Sequence, residues 1–222
     1  SLSAAAAGAM VIVNTVLLVK VRFSLGNGEV ALAMAAFGGG SMAVALLLPP
    51  VLDRVAERAV MLWAGAGLAL GLAGGAVAPG YGILLAVWAL LGGASSAIAT
   101  PVGRLLRRSS ASADRSACFA AQFSLSHLCW LATYPLAGWL GAAIGLAGAA
   151  LVLAAIAAAG TGLGWRLWPV EDPEVLEHVH SGLPPDDPHL AGAIPASEGF
   201  RHAHAFVIDR RHRAWPGTVQ RE

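Results

Sequence analysis

Between Ala117 and Trp139 the chain reads ACFAAQFSLSHLCWLATYPLAGW, without a single Asp, Glu, Lys or Arg. A helix crosses the hydrocarbon core of a bilayer in roughly 20 residues, so this stretch is long enough to span one. It is not uniformly apolar. At about 100° per residue, Gln122, Thr133, Ser126, Trp130, Phe123, Tyr134 and His127 share one arc of roughly 140°. Ala121, Leu125, Leu128, Ala132 and Leu136 fill the opposite side. Such a helix is expected to turn one face to lipid and the other to protein or a watery cavity.

The rest of the chain follows suit. Of 222 residues, 57% are hydrophobic and only 12% charged, where soluble domains carry about 25% charged residues. Six stretches qualify as spans, at about 2–19, 30–48, 59–77, 81–102, 117–139 and 141–164. The expectation is an all-α integral membrane protein with a polar tail, 166–222. Pro49-Pro50 ends the second span. Gly67, Gly71 and Gly75 in the third repeat a spacing that lets another helix come close. Cys118 and Cys129 lie on one helix, roughly 16 Å apart, and cannot bridge. They read as small packing residues.

Lys and Arg set the orientation. The link after the second span carries Arg54 and Arg58, and the one after the fourth carries Arg104, Arg107, Arg108 and Arg115. The tail carries Arg166, Arg201, Arg210, Arg211, Arg213 and Arg221. The turns after the third and fifth spans carry none. The tail, both basic loops and the N-terminus are therefore expected in the cytoplasm, with Lys20 and Arg22 counting the other way. Trp63, Trp139, Trp165 and Trp168 fall near span ends, where amphipathic rings prefer to sit.

Polar groups inside a bilayer are expensive and mark functional positions. The fifth span is richest in them, the fourth next, and the first holds Asn14. The third and sixth are Gly- and Ala-rich and read as peripheral. Cavity-lining candidates are Asn14, Gln122, Ser126, His127, Trp130 and Tyr134. Ser41, Ser95, Ser96 and Thr100 read instead as hydroxyls bonded to their own helix backbone. His127 is the only titratable side chain well inside a span, so any coupling to protons would rest on it. The chain has no P-loop, no paired carboxylates and no nucleophile beside a base. It is therefore read as no enzyme, with no cofactor and no nucleic-acid partner.

The loop PPVLDRVAER, from Pro49 to Arg58, carries a further signal. It resembles the G-x-L-x-D-R-x-G-R-R loop of the major facilitator superfamily, found between the second and third helices of each six-helix half. Asp53, Arg54 and Arg58 match. Pro49 stands at the first glycine, Ala56 at the second, and Glu57 at the arginine after it. The resemblance implies that Asp53, Arg54 and Arg58 clamp helix ends and stabilise one conformation. It also implies two inverted three-helix repeats and the family's C-terminal half, with a missing N-terminal half or a second copy as partner. TPVGRLL, AAQFSLSH and TYPLAGWLG are similar to bacterial members associated with efflux. The expectation that follows is a multi-pass secondary transporter of a small solute in a bacterial inner membrane.

The tail holds six of the seven histidines: His178, His180, His189, His202, His204 and His212. Its charged, Pro-rich composition predicts mostly disorder. The spacings match no structural zinc pattern. The alternative is a six-helix membrane protein that does not transport and whose tail senses or buffers metal, with His178, His180, His202 and His204 as the ligands.

Overall fold

The computed structural model describes residues 1–173, 175–207, 209, 211 and 212. Arg210, Arg213 and Arg221, counted above in the basic tail, lie outside the described residues. The chain divides into two compact units. One comprises Ser1–Arg104 and Phe119–Pro169; the other joins Leu105–Cys118 to the residues from Val170 onward.

The first unit is a helical bundle. Its helices are α1 (Leu2–Leu17), α2 (Asn27–Leu47), the single turn α3 (Pro49–Leu52), α4 (Glu57–Ala76), α5 (Tyr81–Ser109) and α6 (Arg115–Leu167). α1 continues through a π-helical turn, Leu18–Arg22. Among the described residues, five helices are long and apolar enough to cross a membrane. Most of their ends lie within a few residues of the expected spans, but α5 runs seven residues past its expected end, to Ser109. The fifth and sixth spans are one helical run, broken not at Leu140 but at Gly145, where φ is +77°. That conformation suits a residue without a Cβ.

Gly145 is a reversal. Thr133 bonds the Ala5 carbonyl, and Ser3 bonds the Ala157 carbonyl. In a straight helix Thr133 and Ala157 would lie about 36 Å apart, yet both meet the start of α1. Residues 115–144 and 146–167 are therefore antiparallel arms folded over that helix.

α1 is the centre of the bundle. Ala5, Ala6, Ala7, Ala9, Val11 and Val19 are fully buried, with Met10 and Leu18 nearly so. Small side chains let neighbours close in, and hydrogen bonds then fix their register. α2 and α5 approach still more tightly. A Cβ on Gly40 would collide with the Ala89 carbonyl oxygen, and one on Gly92 with that of Phe37. Only glycine fits there. The expected glycine ridge of α4 also packs: Gly71 meets Leu91 and Gly75 meets Trp88, both on α5. Trp63, Trp139 and Trp165 point outward.

The second unit corrects the expectation of disorder. Val175–His180 (β1), Ile194–Ala196 (β2) and Gly199–Ala205 (β3) form an antiparallel sheet in the order β1-β3-β2. His178 lies opposite His202. Because side chains alternate across a strand, His178, His180, His202 and His204 share one face, while Glu177, Val179, Arg201 and Ala203 take the other. Composition missed this because the core is not built of aliphatics. Leu190 and Phe206 are buried, but so are His180 and His212. Imidazoles occupy positions where a larger domain would place leucine. Ion pairs edge the unit, among them Arg108–Asp172 at 2.5 Å and Arg211–Asp187 at 3.3 Å.

Candidate functional site

Within the bundle a cavity of about 430 Å³ opens between four helices. α1 contributes Ala4, α2 Phe37 and Ser41, α5 Ser95 and Ser96, and the first arm of α6 Gln122, Ser126 and Trp130. These serines, with Ser1 and Gln122, give the wall scattered hydrogen-bonding groups on an otherwise apolar surface. Among the described residues no lining side chain carries a charge. Ser126 spends its hydroxyl on the Phe123 carbonyl one turn back, at 2.8 Å. Ser95 does not: its buried Oγ has no hydrogen-bond partner. A buried hydroxyl normally finds one.

Three expected cavity residues, Gln122, Ser126 and Trp130, are thus brought together. Three are not. Asn14 is buried, and its Nδ2 donates to the Ala137 carbonyl at 3.2 Å. It pins α1 to α6 rather than lining the cavity, because α1 runs through the bundle centre where a free amide would be unsatisfied. His127 lies on the other side of Trp130, exposed, its ring stacked on Phe123 at 3.9 Å. Its Nδ1–H donates to the Phe123 carbonyl at 2.8 Å. With Leu131, Tyr134 and Pro135 it borders an open groove of about 620 Å³. The reason is angular: an arc of roughly 140° is wide enough for Trp130 to divide it into two faces. Reading from sequence missed α2 altogether, and it assigned Ser41, Ser95 and Ser96 to backbone bonding. Their spacing to Gly40, Gly92 and Gly93 was the available signal, since glycines that draw α2 against α5 bring the adjacent serines to one wall.

The Pro49–Arg58 loop binds helix ends. Arg58 donates to the carbonyls of Trp168, at 3.0 Å, and Trp165, at 3.1 Å, beyond and within the last turn of α6. Those carbonyls lack helical partners, and the helix end is negative. Asp53 and Glu57 converge on Arg104 of α5, at 3.2 and 2.9 Å. Glu57, which replaces an arginine of the family pattern, is the more buried of the two and makes the shorter contact. Arg54 is exposed. At the other end of α4, Arg22 donates to the carbonyls of Ala76 and Ala78 at 3.0 and 2.8 Å. This arginine, which ran against the charge rule, serves a helix terminus.

The second unit gathers histidines. One ligand nitrogen from each of His178, His180, His189, His202 and His204 lies within 4.8 Å of all the others. His212 joins them: its Nε2 is 3.0 Å from that of His178 and 3.3 Å from that of His189. The strands supply four rings by alternation. The short 3₁₀ turn Pro188–Leu190, started by Asp187 accepting from the His189 amide at 2.8 Å, supplies the fifth. Sequence reading had named only the four strand residues as ligands. Burial pushes the pKa of His178, His180, His189, His202 and His212 below the ordinary value, and neighbouring imidazoles lower it further. For His180 it falls to about 4. At neutral pH these rings are uncharged, the form that ligates metal. Burial works against the Asp209 carboxylate, but amides of His212 and Arg211 outweigh it and lower its pKa.

Set beside known families, residues 1–210 match the Major Facilitator Superfamily. Among curated proteins no significant relative is found.

Proposed function

The chain belongs to the Major Facilitator Superfamily, whose members are transporters, and from that premise we propose that its bundle is one six-helix half of an alternating-access carrier. The observation that carries the reading is the wall of α1, α2, α5 and α6 around the 430 Å³ cavity, beside a loop that ties three helix ends together. The two arms of α6 supply the fifth and sixth crossings. Spans one to three and four to six then form the two inverted repeats of such a half. A second half, on the same polypeptide or from a second copy, completes the path against the groove of His127 and Tyr134. The cavity suits a small, uncharged, largely apolar solute with a few hydrogen-bonding groups. The cytoplasmic side is that of Arg54, Arg58, Arg104 and Arg107, in a bacterial inner membrane.

In this carrier Asp53, Glu57 and Arg104 hold α4 and α5 together, and Arg58 holds the end of α6. The state in which these contacts close is favoured until solute binding shifts the balance. Accessibility labelling of the complete protein tests this. With Cys118 and Cys129 replaced by serine, Ser96→Cys is labelled by a membrane-impermeant maleimide from each side in turn. Asp53→Asn is expected to change the inside-to-outside labelling ratio. An unchanged ratio would remove the clamp from the mechanism, and a Ser96→Cys that labels from neither side would remove the cavity from the solute path.

A further inference from the structure

The histidine unit has an unresolved proton count. His178 Nδ1 lies 3.1 Å from the Leu176 carbonyl oxygen, and His204 Nδ1 lies 2.7 Å from that of Ala205. A carbonyl only accepts, so both Nδ1 atoms carry the hydrogen and both Nε2 atoms present a lone pair in the neutral ring. His212 Nδ1, at 3.1 Å from the Asp209 carboxylate, is fixed the same way. Yet Nε2 of His178 and Nε2 of His212 face each other at 3.0 Å. The buried Nε2 atoms of His202 and His204 have no hydrogen-bond partner at all. A shared proton relieves one such pair. It does not serve six rings pointed at a common centre.

A cation at the centre serves all of them. Nitrogens 3.0 Å apart on bonds of about 2.1 Å subtend about 90° at the ion, and a 3.3 Å pair about 104°. The 90° edges are those of an octahedron, and there are six candidate donors. All six are imidazole nitrogens. Mg²⁺ and Ca²⁺ demand oxygens, and a cysteine-free set does not select soft monovalent copper. Zn²⁺ takes four ligands in structural sites, whereas Ni²⁺ accepts imidazole and stands high in the affinity order of divalent ions. Asp209 behind His212 is the second-layer carboxylate that orients ligating histidines elsewhere.

We propose that His178, His180, His189, His202, His204 and His212 bind one six-coordinate first-row divalent ion, of the Ni²⁺ class, through their Nε2 atoms. The site is separate from the bundle cavity, and its test does not depend on the transport reading.

The complete chain, purified in detergent without a polyhistidine tag and stripped with a chelator, is titrated with Ni²⁺, with Mg²⁺ as the negative comparison. One Ni²⁺ per chain is expected, and X-ray absorption is expected to show about six nitrogen neighbours near 2.1 Å with imidazole outer-shell scattering. Asp209→Asn should weaken binding by about 10- to 100-fold. The pair His178→Asn and His202→Asn should abolish it, while His127→Asn should leave it unchanged. The absorption spectrum of the unaltered chain needs no variant to fold. Absence of stoichiometric Ni²⁺ binding overturns the proposal, as does a four-nitrogen shell or undiminished affinity in the double variant.

Discussion

The two units handle buried polar groups in opposite ways. In the bundle several buried polar side chains are used up: Ser3 on Ala157, Asn14 on Ala137, Thr133 on Ala5, and Trp88 Nε1 on Thr15 at 2.8 Å. Each bond joins one helix to another. In the histidine unit His178, His204 and His212 are fixed from behind, at Nδ1, and turn Nε2 toward the other rings. The lesson concerns how polar residues in apolar surroundings should be read. Their presence marks packing as often as function, because an unsatisfied group costs about 1–3 kcal/mol. What separates the two is whether the group's hydrogen bonds are already made. By that measure Ser95 Oγ in the bundle resembles His202 and His204 Nε2 in the other unit, and Asn14 does not.

The heaviest challenge to the bundle's side of this contrast is steric. Gly92→Leu places side-chain atoms where the Phe37 carbonyl lies, and α2 and α5 must separate. Overpacking costs about 1–3 kcal/mol and sometimes more; with backbone as the obstacle, the upper end is expected. Thermal unfolding in detergent should show a large fall or no monodisperse protein. Unchanged unfolding would mean that close helix contact does not hold the bundle.

The histidine unit is instead broken by acid. His178, His180, His189, His202 and His212 have pKa values held below about 6.5, the ordinary value, down to about 4 for His180. Well above pH 6.5 the folded and unfolded chains are both neutral at these positions, and stability is at its full value. As pH falls from 6.5 toward 4, the unfolded chain takes up protons that the folded unit resists, so stability is lost across that window. Hydrogen exchange in the ion-free protein should show protection of residues 175–180 and 199–205 fading in this range. The amides of α1, secured by Ser, Thr and Asn, should not follow. Saturating Ni²⁺ should move the loss to lower pH, because binding stabilises only the folded state. Loss of α1 protection over the same window would erase the distinction between the units.

These contrasts also explain what the sequence made legible. Span positions were readable because a bilayer demands length and apolarity, properties that survive in any stretch of 20 residues. The polar contacts at the start of α4 were readable from Asp53 and Arg58, though their more buried carboxylate, Glu57, had looked like a departure from the pattern. Gly145 was one of several glycines in GWLGAAIGLAG, and nothing local separated the one that turns left-handed from the rest. The cavity wall depended on which helices touch, and hence on Gly40 and Gly92, residues with no side chain to suggest it. The histidine core was hidden for a different reason: composition scores imidazole as polar, while six rings gathered together act as an interior.

A milder test returns to Asn14. If its amide is spent on the Ala137 carbonyl, Asn14→Ala should lower bundle stability by about 1 kcal/mol, the scale of interhelical hydrogen bonds in membranes. A cavity-facing amide would cost far less. Chemical unfolding in detergent decides between them, and an unaltered midpoint would return Asn14 to the cavity wall.

Ser95→Ala should move stability least of all. The hydroxyl it deletes is buried and unpartnered, so its loss removes a desolvation cost and no bond; the expected change lies between zero and a gain of about 1 kcal/mol. Function should respond where stability does not. In the complete protein, Ser95→Ala is expected to alter the labelling ratio at Ser96→Cys or its protection by solute if the cavity lies on the solute path, as proposed. A destabilised Ser95→Ala would instead show that the hydroxyl has a structural bond in the membrane. Ser95 would then join Asn14 among the packing residues.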